Sequence, residues 1–160
     1  MARLASIRFN TATFEENNIF KERKNISQNK CIYGAQVKVK PSIPLNALLF
    51  VVEMNNETNQ ITGIGLIRNI IAAQENIYND NNYNRYTYSG NFRLSRDKIE
   101  ELGGIELIEV FELILFKGYT HIKRHSGITI IPESLLHCQR TNNINLLEKV
   151  RLLFISQFKK

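Results

Sequence analysis

A chain of 160 residues, 43% hydrophobic and 22% charged, has the length and composition of one soluble globular domain, 1–160, whose core needs no metal or disulfide staple. Its net charge of +6 favours acidic partners, nucleic acid first. No apolar run approaches the roughly 20 residues of a membrane helix, the first ten residues lack an apolar leader core, and Cys31 and Cys138 are too far apart to make a framework, so a reduced, intracellular protein without membrane contact is expected.

In chain order, residues 4–9 read as a short edge strand. Thr13 and Glu16 match a capping box and predict a helix to about residue 25, with Lys21, Arg23 and Lys24 in its last turn. Residues 32–40 read as a strand in which Val37 and Val39 alternate with polar neighbours, broken by Pro41 and Pro44. Two apolar runs, 47–54 and 61–71, flank the polar segment 55–60 and predict a central hairpin. Both arms are apolar on consecutive positions, as strands covered on two faces are. Gly63 and Gly65 then leave a strip of bare backbone on the face shared with Ile61 and Ile67, covered by a packed helix or loop or approached by a ligand.

Residues 74–84 form an Asn-rich loop without periodicity, and 85–88 and 91–94 bracket Ser89-Gly90 as a second hairpin. Ser95 caps a short helix, 96–102, closed by Gly103-Gly104. A broad apolar stripe with Glu106, Glu109 and Glu112 marks the clearest helix, 105–117. A basic loop at 119–127, a short strand at 128–131, a helical turn at 133–138 and an amphipathic helix at 145–158 complete the chain. The fold class expected is α/β (α+β): a partly closed, antiparallel, barrel-like sheet of five or six strands flanked by helices.

Two stretches suit nucleic acid. Residues 119–127 bring His121, Lys123, Arg124 and His125 into five positions, as phosphate contacts require; a solvated basic loop has the same composition. In 83–93, Tyr83, Tyr86, Tyr88 and Phe92 interleave with Arg85 and Arg93, which suits bases stacked on rings with the backbone held by arginine; aromatic pairs across strands also simply stabilise sheets. The binding set is therefore Arg85, Tyr86, Tyr88, Arg93, His121, Lys123, Arg124 and His125. No zinc spacing joins His121, His125, His137, Cys138 and Cys31, no phosphate loop, glycine elbow or nucleophile pair stands out, and no cofactor, metal or catalytic residue is assigned. Glu53, on a buried arm, is the one carboxylate suited to a raised-pKa acid or base, or to a structural salt bridge.

The segment LFVVEMNNETNQITGIGLIRN resembles the core of PUA-like domains, including the YTH, EVE and ASCH groups, over residues 33–69. The resemblance implies a small curved barrel that binds RNA or a modified base in a pocket beside it, and places Tyr33, Glu53, Asn55, Gly63 and Gly65 at that pocket. With no Trp in the chain, a cage of the YTH type would have to use Tyr or Phe. The Tyr-Asn-Arg-Tyr stretch and the Lys-Arg-His loop also resemble an uncharacterised protein of large DNA viruses, which implies host cytoplasm or nucleus and agrees with the Asn and Ile bias of an AT-rich genome. The expected function is a nucleic-acid-binding module for RNA, single-stranded DNA or a modified base. The alternatives are an enzyme on nucleic acid using Glu53 with His121 or His125, and a structural, virion-associated protein.

Overall fold

The structure is a computed structural model that describes residues 2–159. The chain runs β1 (Arg3–Phe9), α1 (Thr11–Arg23), β2 (Cys31–Ala35), β3 (Leu48–Asn55), β4 (Gln60–Arg68), β5 (Tyr86–Gly90), β6 (Phe92–Ser95), α2 (Arg96–Glu101), α3 (Ile105–Phe116), β7 (Thr129–Ile130), α4 (Glu133–Leu136) and α5 (Leu146–Phe158). The fold is α+β. A five-stranded sheet has the order β6-β4-β3-β1-β7, and β2 and β5 form a separate two-stranded sheet.

The antiparallel, barrel-like expectation needs correction. The large sheet is mixed and does not close into a barrel: β1 lies parallel to β3, from Arg3 opposite Leu49 to Phe9 opposite Asn55. Strand β1 is also interior, because the two-residue β7 covers its other side. The second hairpin is absent too. Strand β5 pairs with β2, and β6 pairs with β4, so the chain steps from one sheet to the other between Gly90 and Phe92. A turn flanked by strand formers looks the same whether its arms pair with each other or part company.

The central hairpin does form, and its two-sided burial follows from strand alternation. Phe50, Val52 and Met54 enter one core with α2, α3, α4 and α5. Leu49 and Val51 face the other way, into a second core with Ala5, Ile7, Phe9, Phe20, Tyr33 and Tyr88. A bulge shifts the β3–β4 register between Glu53 and Met54. It sends Ile61 to the first core while Gly63 and Gly65 keep to the second, because one extra residue inverts the alternation beyond it.

Helix caps follow local chemistry with one shift in α1. The N-cap is Asn10, whose Oδ1 accepts from the Thr13 N–H at 2.7 Å while the Thr13 hydroxyl accepts from the Asn10 N–H at 3.0 Å. Thr13 is thus the returning member of the box rather than its start. Ser95 caps α2 and Asn145 caps α5 through their side chains. Beyond β2 the strand expected to residue 40 gives way to bends after Ala35.

The glycine strip is covered by protein. A Cβ at Gly65 would collide with the Tyr33 hydroxyl and lie 2.7 Å from Cys31 Sγ, and one at Gly63 would lie 2.7 Å from Arg93 Nη2. Gly65→Val is therefore expected to destabilise the protein by about 1–3 kcal/mol, read from the midpoint of a urea titration; an unchanged midpoint would contradict this packing.

Candidate functional site

The residues singled out from sequence separate into an interior cluster and an open cavity. The cluster holds Glu53, Arg93, Tyr33, Gly63 and Gly65. Arg93 grips Glu53 with two parallel bonds, Nε to Oε2 at 2.9 Å and Nη2 to Oε1 at 2.8 Å. The Tyr33 hydroxyl donates to Oε2 at 2.6 Å and the Thr62 hydroxyl to Oε1 at 3.0 Å. The bulge brings Thr62 to this contact, and the Cβ-less Gly63 and Gly65 leave room for the guanidinium and the phenol.

Burial opposes the charge on Glu53, but the Arg93 guanidinium and the bonds from Arg93, Tyr33 and Thr62 outweigh it and hold the carboxyl below its usual range. Burial and the neighbouring carboxylate push the Tyr33 phenol well up, and burial above all raises the Cys31 thiol to about 12. An ionised Glu53 with both oxygens engaged has no proton to give, so the arrangement offers an enzyme no general acid at this position. Asn55 is also inward: its Oδ1 accepts from the N–H groups of Glu57 and Thr58 at 3.0 and 3.3 Å and shapes the hairpin turn.

Lys21 joins the cluster from α1 with 1% exposure, which leaves two cations beside one carboxylate. Burial and the Arg93 charge lower its pKa from 10.5 to about 8, with partial opposition from Glu53.

Of the expected binding residues, Tyr88 and Arg93 are interior. Tyr88 is 1% exposed and its hydroxyl accepts from the Val39 N–H at 3.0 Å, so neither its ring nor the Arg93 guanidinium meets solvent. Arg85, His121 and Arg124 are exposed, and Tyr86, Lys123 and His125 are half-buried. Lys38 Nζ lies 5.3 Å from the centre of the Tyr86 ring, a cation–π contact on the outer surface. Ile122 is buried and pins the basic loop, and Arg140 ties its start by donating to the Thr120 hydroxyl at 2.9 Å and the Lys117 carbonyl at 2.8 Å.

One cavity of about 270 Å³ lies beside the basic loop, just under the range usual for small-molecule sites. It opens at the carboxyl ends of the parallel pair β1 and β3, where ligands of open sheets gather. Arg8 and Phe9 come from β1, Gln36 follows β2, and Asn56 begins the hairpin turn. Tyr78 and Tyr83 supply an aromatic wall, edge to face with centroids 6.4 Å apart. The basic loop closes the other side with Ser126 and Gly127. Asn56 Nδ2 donates to the Lys123 carbonyl at 2.6 Å, and a Cβ on Gly127 would lie 2.9 Å from Val37. Tyr86 sits opposite Ala35 in the small sheet, and Ala35 lines the cavity. The basic loop thus reaches the cavity through Ser126 and Gly127 and Tyr86 lies one strand away, while Arg85, Tyr86, His121, Lys123, Arg124 and His125 are not themselves among the lining residues.

Sequence reading did not single out Arg8, Gln36, Asn56, Tyr78 or Ser126, and it noted Tyr83 only as one aromatic among several. The Tyr83 wall depends on Asn84, whose Oδ1 accepts from the N–H groups of Ile77 and Tyr78 at 3.1 and 2.9 Å and whose Nδ2 donates to the Tyr78 carbonyl at 2.7 Å. A buried Asn inside an Asn-rich loop carries no signal that separates it from its neighbours.

Among the described residues no group of three His, Cys, Asp or Glu side chains is placed to hold a metal, Cys31 and Cys138 are both free, and no helix is long and apolar enough to cross a membrane. No family model, curated protein or solved structure matches the chain.

Two outcomes follow from the cluster. Arg93→Met leaves the Glu53 charge buried without its partner and is expected to cost about 3–5 kcal/mol, whereas the double change Glu53→Met/Arg93→Met costs much less; equal losses in urea denaturation would contradict a buried pair. Between about 8 and the ordinary 10.5, the unfolded chain keeps a proton on Lys21 that the folded chain has released, so stability rises with pH. Cys31, raised from 9.0 to about 12, acts in the opposite sense above pH 9. The net rise is confined to about pH 8 to 9 and amounts to up to about 1 kcal/mol. Lys21→Met should abolish it in urea titrations at the two pH values, and a rise that persists in the variant would assign it elsewhere.

Proposed function

We propose that the protein is a nucleic-acid-binding module for RNA or single-stranded DNA, which holds the backbone on the basic loop and one unstacked base in the adjoining cavity. The observation that carries this reading is an aromatic-walled cavity whose lining includes Ser126 and Gly127 of the basic loop and Ala35, the strand partner of Tyr86. Rings accept any base by stacking and cations follow the phosphates, a combination that favours single strands.

Charge segregation supports the same face. Residues 96–116, on the α2–α3 side, carry six carboxylates against Arg96 and Lys98, whereas residues 117–127 carry Lys117, Lys123 and Arg124 and no carboxylate. The cavity borders the second core, through Phe9 and Tyr78. A polyanion is thus favoured at the basic loop over the α2–α3 side. The PUA-like resemblance of the central hairpin belongs to this proposal, in an open-sheet form with a tyrosine-walled pocket in place of a tryptophan cage; so does an origin in a large DNA virus.

The test is titration of a fluorescent single strand at several salt concentrations. Lys123→Ala/Arg124→Ala should weaken binding to every sequence and lower the salt slope by roughly one counterion per lost phosphate contact. Tyr83→Ala should cost about 1–3 kcal/mol on single strands and little on duplex, whose bases are already stacked. Absence of binding at low salt would overturn the reading.

A further inference from the structure

The cavity is more selective in charge than a surface for the interior of a strand needs to be. Its one formal charge is the Arg8 guanidinium, and no carboxylate is among its lining residues. Guanidinium has five N–H donors, yet the contact Arg8 makes is a single long bond from Nη2 to the Ser126 hydroxyl at 3.4 Å. The half-buried Gln36 places an amide on the same lining. Arg8 and Gln36 thus bring donors with few partners to a lining that contains no carboxylate.

The neighbouring helix terminus is already met by the Glu57 carboxylate, so it gives an anion neither bonds nor a free field. The cavity lies at the start of the thirteen-residue α1, the positive end of the helix dipole. The Thr11 N–H already donates to Glu57 Oε1 at 3.2 Å and the Thr13 N–H to Asn10 Oδ1 at 2.7 Å, so the bonds to an anion fall to Arg8, Ser126 and Gln36. Inward the cavity ends on Phe9 and Tyr78, both core residues. A backbone phosphate has a sugar on each side and needs room for both, whereas a terminal phosphate needs room for one. A phosphate monoester also carries about −1.5 to −2 charges near pH 7, against one for a diester, and so gains more from a lone guanidinium.

We infer that Arg8 makes this cavity a site for a phosphate monoester on a nucleoside, either the phosphorylated end of a strand or a free mononucleotide. The inference rests on the nucleic-acid reading above for its polymer form only. In it Arg8 takes the phosphate bidentately, Ser126 and Gln36 complete its donors, and the Tyr78–Tyr83 wall takes the terminal base.

The experiment compares wild-type binding of one fluorescent oligonucleotide with a 5′-phosphate, a 3′-phosphate or hydroxyls at both ends, and competition by adenosine and uridine monophosphates and by inorganic phosphate. One phosphorylated end should bind about tenfold more tightly than the hydroxyl form, as a charge-assisted bond of this kind gives. Arg8→Met should erase that preference, so that phosphorylated and hydroxyl strands bind alike, and Arg8→Lys should restore part of it. Among the described residues the half-buried Arg8 is bonded to Ser126 alone, so the variants should melt with the wild type; if Arg8→Met unfolds, the wild-type end comparison decides by itself. Strand binding indifferent to end phosphates would overturn this inference and leave the nucleic-acid reading standing. Competition by mononucleotides without any strand binding would do the reverse. Inhibition by inorganic phosphate equal to that by mononucleotides would reduce the site to an ion site and overturn the nucleoside part.

Discussion

The interior bond between Glu53 and Arg93 is the constraint that the rest of the structure obeys. It joins the middle of β3 to β6, two strands that flank β4 without touching each other, and its guanidinium also faces the Gln28 carbonyl at 3.4 Å in the loop that leads into β2. Taking two charges out of water costs several kcal/mol per ion and is repaid only by near-complete hydrogen bonding. The bulge at Thr62, the glycines at 63 and 65 and the phenol of Tyr33 are what make that bonding complete. The small sheet is therefore docked on the large one by a polar contact as well as by Leu49, Val51 and Ile67, and its position relative to β4 is specified to within a hydrogen bond.

This docking also decides which residues are left for function. By drawing Arg93, Tyr33 and Glu53 inside, the cluster uses up much of the chemistry that composition offers. By fixing β2 over the glycine strip, it sets the end of β2 beside the end of β1 and so shapes the cavity. The same rigid element thus removes one candidate site and creates another.

Much of the architecture is legible in sequence where the signal is local. The 47–71 hairpin is evident from two apolar runs around a polar turn, and α3 from its Glu spacing against Leu, Ile and Phe. The Ser95 cap needs only its neighbours. The parallel pairing of β1 with β3 has no local signature, since it joins Arg3 to Leu49 across a helix and a strand of another sheet. Glu53 and Arg93 are forty residues apart, and either side chain alone reads as an ordinary surface charge or a lone buried acid. Tyr88 alternates with Tyr86 as an exposed strand residue would, but β5 packs one face on the second core, and alternation does not say which face. The Asn bias reads as coding composition, yet all five non-glycine residues with positive φ are asparagine, at 25, 46, 59, 142 and 143, where its short polar side chain tolerates the left-handed region. Composition and structural use coincide there, and the sequence does not distinguish them.

The slender attachment of β7 bears on the order in which the molecule assembles. Strand β7 meets β1 through Ala5–Ile130 and Ser6–Thr129 alone, extended by one bond from the Ile131 N–H to the Leu4 carbonyl at 3.0 Å, whereas β3 and β4 share eight residue pairs. Contacts between residues some 125 positions apart are slow to form, because a long loop must close before they reward it, and elements held by few contacts are the first to open in the native state. The segment directly before β7 is the one that carries Ser126 and Gly127 to the cavity. The cavity wall at Ser126 and Gly127 is thus carried by a segment whose sheet pairing is two residue pairs and whose other anchors are the buried Ile122, Ile128 and Ile131.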